Sequence, residues 1–283
     1  VTGLCVDAAC TQISPDVHPY TPAYPLWADA ATKNRWIYLP PGTQIDTSNP
    51  DYWKFPQGTK IWKEFDVGGV RVETRYIVKV GPGDTTSDWF YVAYQWNATN
   101  DDTTAAPMGV MNANGTTHDI PSRSECKQCH EGLAPTRILG FGAIQLDWAN
   151  PNAGELDLDR LVTAGLLTQN PPGAMSPHYP LPGDATQQAA LGYLHANCGH
   201  CHNPMSPVYT DNGVTMVLRE EVGKLATVDQ TTVYTTTVDM PAMQQVGALP
   251  TDCLAGSGST AMDQCIIEPG SPANSTLIFR FES

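Results

Sequence analysis

The sequence predicts an α+β protein: an N-terminal antiparallel β sandwich or barrel, followed by a mainly helical, loop-rich region carrying two Cys-x-x-Cys-His motifs. Three observations predict it. Val70 to Val80 alternates apolar and polar with a period of two, and after position 121 apolar residues recur at helical spacing within Asp157–Leu167. Both motifs, Cys126-Lys-Gln-Cys129-His130 and Cys198-Gly-His-Cys201-His202, fall in the second part. Domains are therefore expected at 1–120 (β-rich) and 121–283, and 283 residues are enough for a core in each.

The elements follow in order. Asn34 to Leu39 reads as a strand, and so do Lys60 to Val67 and Trp89 to Trp96. Between them, Val70 to Val80 places Val70, Val72, Thr74, Tyr76, Val78 and Val80 on one face, with Arg71, Glu73, Arg75 and Lys79 on the other. That is the pattern of a half-buried strand. Gly68-Gly69 turns the first hairpin, and Gly81-Pro82-Gly83-Asp84 opens the second. Trp27, Trp36, Trp53, Trp62, Trp89 and Trp96 are expected to fill the core of this domain, as aromatics on strands do. Further on, Leu158, Leu161, Val162 and Leu166 mark a helix within Asp157–Leu167. A second helix is capped by Asp184 with Gln187 three residues on. It carries Ala190, Leu191, Leu194 and Cys198 on one stripe and delivers the second motif. Thr231 to Val238 reads as extended.

Charge narrows the partners. Fifteen Lys and Arg against 29 Asp and Glu give a formal net charge of −14, which repels nucleic acid and anionic lipid. No run of 18 apolar residues exists, so no membrane span is expected. The sequence opens at Val1-Thr2-Gly3 without a basic-then-apolar leader, so any export signal is expected to have been removed. Outside the motifs, four cysteines fall as two local pairs, Cys5 with Cys10 and Cys253 with Cys265, which are expected to be disulfides.

The motifs carry the chemistry. Two cysteines three residues apart lie on the same side of one helical turn, where both can form thioethers to the vinyl groups of one haem. The next residue, His130 or His202, is then placed as an iron ligand. Two covalently attached haem c groups (iron) are therefore expected. Zinc is the rival, since two Cys-x-x-Cys knuckles offer four thiolates. Their separation far exceeds the ~15–20 residues of a zinc ribbon, and zinc gives no reason for a histidine after both second cysteines. For the sixth ligands, His18, His118 and His178 remain among the histidines, with His118 the candidate near the first haem. Met240 and Met243, in Asp-Met-Pro-Ala-Met, are the candidates for the second. Haem attachment and disulfides both point to an exported protein: periplasmic, outer-surface or extracellular.

The segments Tyr24-Pro-Leu-Trp-Ala-Asp29, Lys33 to Pro40, Phe55 to Phe65 and Val72 to Arg75 resemble a largely uncharacterised family of exported bacterial di-haem c-type cytochromes. So do Pro121 to Cys126, Leu139 to Phe141, Tyr193 to Pro204 and Glu268 to Ser275. The likeness implies an N-terminal β domain followed by a cytochrome region. Family members continue past a stretch like Leu277–Ser283 into a Met-Pro loop. The resemblance thus implies that such a loop lies beyond Ser283, or that the second haem takes another ligand, or that its sixth position is open.

Electron transfer is the expected function, with redox partner proteins or an extracellular acceptor as partners. No Ser/His/Asp, paired-carboxylate or phosphate-loop arrangement competes with the motifs. The enzymatic alternative is a di-haem peroxidase or oxidase, which needs one haem open at its sixth position. The structural alternative is self-assembly into a haem-lined extracellular filament.

Overall fold

A computed structural model of the protein describes residues 2–7, 9–211, 214–243, 253 and 264–278. Parts of two sequence readings, Val208–Ala248 and Leu277–Ser283, lie outside the described residues. The chain divides into two compact units, Val1–Pro180 and Leu181–Ser283. The first is built on a six-stranded antiparallel sheet, and helices follow along the chain, which gives a mixed α+β protein. Among the described residues no helix is long and apolar enough to cross a membrane.

The strands lie in the sheet in chain order: β1 (His18–Pro19), β2 (Thr32–Tyr38), β3 (Lys60–Val67), β4 (Val70–Lys79), β5 (Trp89–Trp96) and β6 (Thr103–Ala105). The β3–β4 turn is the two-residue Gly68-Gly69 loop, with φ of +59° and +84°, a backbone that glycine adopts without a Cβ penalty. β1 and β6 are the edges, so the sheet is open. Neither the closed barrel nor the second sheet of a sandwich is formed among the described residues.

Loops and helices cover the sheet instead. Trp36, Trp62, Tyr76 and Val92 stand in register across four strands on one face. Leu4 and Val17 pack over Trp62, in a segment clipped by the expected Cys5–Cys10 disulfide. On the other face Ile37, Ile61, Ile77 and Tyr91 align and are buried. An aromatic chain runs from Trp89 through Phe55 and Phe141 to Tyr20, with ring centroids 6.4, 5.9 and 4.8 Å apart. Edge-on pairs of this kind add roughly 0.5–1.5 kcal/mol each beyond area burial. Of the tryptophans, Trp53, Trp62, Trp89 and Trp96 are buried, whereas Trp27 is 70% exposed.

Cover on both faces corrects the reading of β4 as half-buried. Glu73 and Lys79, on its polar face, are 0% and 3% exposed, while Val80, just past it, is 51% exposed. Their charges are matched locally. Glu73 Oε1 accepts from Arg75 Nη2 at 2.6 Å and from His118 Nε2 at 2.7 Å. Lys79 Nζ donates to the Phe55 carbonyl at 2.8 Å and to Asp84 at 2.7 Å. The register shifts between Phe65 and Asp66, and beyond that bulge Val72 packs with Ala93, Ala113 and Ile120.

Beyond the sheet the first unit adds α1 (Arg123–Glu131), α2 (Ala143–Leu146) and α3 (Leu158–Thr163). Asp157 caps α3 through the Arg160 N–H. The second unit contains α4 (Ala185–Asn197), α5 (Pro207–Thr210) and α6 (Thr232–Thr237). α4 starts with the Asp184–Gln187 capping box expected from the sequence. α6 overturns the extended reading of Thr231–Val238. Thr231 caps it through the Tyr234 N–H, and the hydroxyls of Thr235, Thr236 and Thr237 donate to carbonyls four residues back. These local bonds satisfy side chains whose β-branching alone favours a strand. The second expected disulfide, Cys253–Cys265, is also formed.

Candidate functional site

The first motif lies inside α1. Ser122 and Glu125 close a capping box at the helix start, and that Ser-x-x-Glu pattern is legible in the sequence. The helix packs on β5, and its cap places Cys126, Cys129 and His130 along its last two turns. The His130 ring lies 5.2 Å from the Tyr91 ring. His130 Nδ1 donates to the Arg137 carbonyl at 2.6 Å, which puts the imidazole lone pair on Nε2. A hydrogen bond of this kind is one way a histidine ring is oriented for metal binding. Arg137 holds the loop, in the left-handed region at φ +58°, by donating to the carbonyls of Glu131 and Asp84.

The second motif follows α4 rather than lying within it. Cys198 is the C-cap, and the N–H groups of Cys201 and His202 both donate to its carbonyl. The turn is clamped by Asn203, fully buried, whose Nδ2 donates to the Gly199 carbonyl at 2.9 Å and the His200 carbonyl at 3.0 Å. A Cβ on Gly199 would sit 2.7 Å from the His195 carbonyl and 2.9 Å from the Arg219 backbone, so position 199 accommodates glycine and no larger residue without a shift. Gly199→Ala is expected to lower unfolding stability by roughly 1–3 kcal/mol, measured by denaturant titration. No loss would place the turn elsewhere.

Cys198 and His202 open onto a cleft of about 310 Å³. Val214, Leu218, Ile266 and Leu277 give it an apolar wall, and the sulfur-bearing Met216 and Met243 also line it. The segment carrying Met243 is fixed by pairing: Ala242 N–H donates to the Gln264 carbonyl, and Ile266 N–H to that of Met240. Cys265, between these two partners, is tied to Cys253. The His202 ring is hydrogen-bonded by the Met216 backbone, while its Nδ1 is buried without a partner, as is that of His200. Burial pushes the His202 imidazole below its ordinary value and the Cys126 and Cys198 thiols above theirs. One thiol, an imidazole, an apolar wall and two thioether-bearing side chains line this cleft, a donor set that can hold a flat, apolar, metal-centred macrocycle.

The structure separates the candidate sixth ligands. Met243 lines the cleft; Met240 does not. His118 is buried under the sheet with Nε2 hydrogen-bonded to Glu73 and its ring 5.0 Å from that of Phe65, so ligation through Nε2 would have to break that hydrogen bond. His178 has both ring nitrogens engaged, by the Pro172 carbonyl and Asp159. Sequence reasoning missed Met216, Gly199, Asn203 and Arg137. Gly199 and Asn203 stand in or beside the motif, yet their roles depend on contacts that only the folded turn makes.

Comparison of the chain with protein-family models, with curated proteins and with solved structures gave no match. The family likeness drawn from the sequence rests on its motifs alone.

Proposed function

We propose that this protein is an exported di-haem c-type cytochrome that relays electrons between redox partners outside the cytoplasm. The observation that carries this reading is the apolar cleft beside Cys198 and His202, with methionine sulfur on its lining. On this reading Cys126, Cys129, Cys198 and Cys201 hold two haems as thioethers, and His130 and His202 supply iron-binding nitrogen. Met243 and Met216 are the sulfur donors available at the second haem. Haem brings one-electron chemistry; the chain supplies ligands, apolar cover and orientation. The finer architecture, a β domain joined to a di-haem cytochrome region, and the family likeness belong to this same reading.

The two disulfides support an oxidising location. An anaerobic potentiometric titration of the haem-loaded protein tests the function. Two one-electron waves are expected, with rapid reoxidation by a soluble acceptor and no sustained turnover of peroxide. Peroxide turnover at ~1–10³ per second would replace the relay with an enzyme.

A further inference from the structure

The second unit buries a carboxylate that haem attachment does not use. Glu220 is 0% exposed. Its Oε2 accepts the Thr232 N–H, the first of α6, at 3.0 Å. Its Oε1 is buried with no hydrogen-bond partner. The Glu220 backbone N–H donates to His195 Nδ1 at 3.1 Å, which leaves that buried ring neutral with its proton on Nε2. The other charged groups around it are Arg219, beside His195, and Glu221 and Lys224, which pair with each other at 3.0 Å. None of them donates to Oε1.

An ionised carboxylate in this position lacks the donors that its second oxygen needs. Burial, the largest effect, pushes the Glu220 acid up to about 7, with the neighbouring Glu221 charge in the same direction. The Thr232 and Val233 N–H groups and Lys224 oppose it. Glu220 is thus balanced between its two forms near neutral pH. It is also tied to the second motif from two sides. Leu218, two residues earlier, donates its N–H to the His202 carbonyl at 2.9 Å and lines the cleft. His195 lies on α4, one turn before Cys198.

We propose that Glu220 takes up a proton when the second haem is reduced and releases it on reoxidation, so that this chain moves protons with electrons. The inference rests on the haem proposed at Cys198 and Cys201. In the balanced step a one-electron donor supplies one electron to the ferric iron, giving ferrous iron. One proton from solvent converts the Glu220 carboxylate to the carboxylic acid. Reoxidation by a one-electron acceptor returns both. The cause is electrostatic: an added electron disfavours a nearby buried negative charge, and the coupling is reciprocal.

The test is a redox titration of the haem-loaded protein at a series of pH values from about 5 to 9, which brackets the ordinary glutamate value and neutrality. The midpoint potential of the second haem should fall as pH rises through the neighbourhood of 7. Glu220→Gln, which preserves size and the acceptor for Thr232, should remove that fall, whereas dependence on haem propionates would survive it. Redox-difference infrared spectra of the unaltered protein should show a carboxylic-acid carbonyl band appearing on reduction, a readout that does not require the variant to fold. Equal pH dependence in both proteins, a flat potential in both, or no such band overturns the proposal. Intact mass is read first on the same sample: absence of haem at Cys198 and Cys201 would instead remove the reading on which the proposal stands.

Discussion

If a haem is attached at the second motif as proposed, His202→Ala is expected to leave it covalently held by Cys198 and Cys201 while depriving its iron of protein nitrogen. The low-spin optical bands of that haem should give way to a high-spin spectrum. Its midpoint potential should move by a sizeable fraction of the ~0.8 V range that axial ligands control. The change should be confined to one of the two haems. His200→Ala, inside the same motif, should leave spin state and potential near those of the unaltered protein. The assignment follows from position: His202 lines the cleft with Cys198, whereas His200 does not. Unchanged spectra in His202→Ala, or equal changes in both variants, would contradict it.

Glu73→Ala is expected to give the largest loss of stability from a single change in the first unit, about 3–5 kcal/mol. The carboxylate is fully buried and accepts from Arg75 Nε at 2.9 Å, Arg75 Nη2 at 2.6 Å and His118 Nε2 at 2.7 Å. Truncation leaves the buried His118 imidazole, and the 29% exposed Arg75 guanidinium, without this acceptor. Burial by itself raises the Glu73 acid, but hydrogen bonds from His118 and Arg75 and the Arg75 charge outweigh it, so the folded value lies below 4.5. A depressed carboxylate contributes stability above its unfolded value and loses it as pH falls through the folded one. The gap in denaturation midpoint between unaltered protein and variant should therefore be widest near neutral pH and shrink in acid. A gap that is constant with pH, or under ~1 kcal/mol, would mean that the ion pair does not hold this part of the sheet together.

These residues mark where the sequence could be read and where it could not. The bounds of β3 and β5 were legible because apolar alternation and Gly68-Gly69 are local signals, and the Asp184–Gln187 cap of α4 was legible for the same reason. Cover over the second face of β4 was not. It depends on His118, 45 residues from Glu73, and no local pattern pairs them. β1 is two residues long and includes Pro19, so periodicity has nothing to register. α6 was misread because β-branched threonines favour strands in isolation, while their hydroxyls and the Glu220 carboxylate satisfy a helix in context. At the site, the cysteines and histidines of both motifs were legible from spacing. The cleft beside the second motif was not, because Met216, Met243, Ile266 and Leu277 reach it from separate segments.

The central claim is covalent attachment of two haems. Intact mass under denaturing conditions, on protein produced with haem-attachment machinery in an oxidising compartment, tests it most directly. The expected mass is that of the polypeptide plus two haems, with one lost when Cys126 and Cys129 are both changed to alanine and the other when Cys198 and Cys201 are. A polypeptide mass without haem, accompanied by stoichiometric zinc in the native protein, would contradict it.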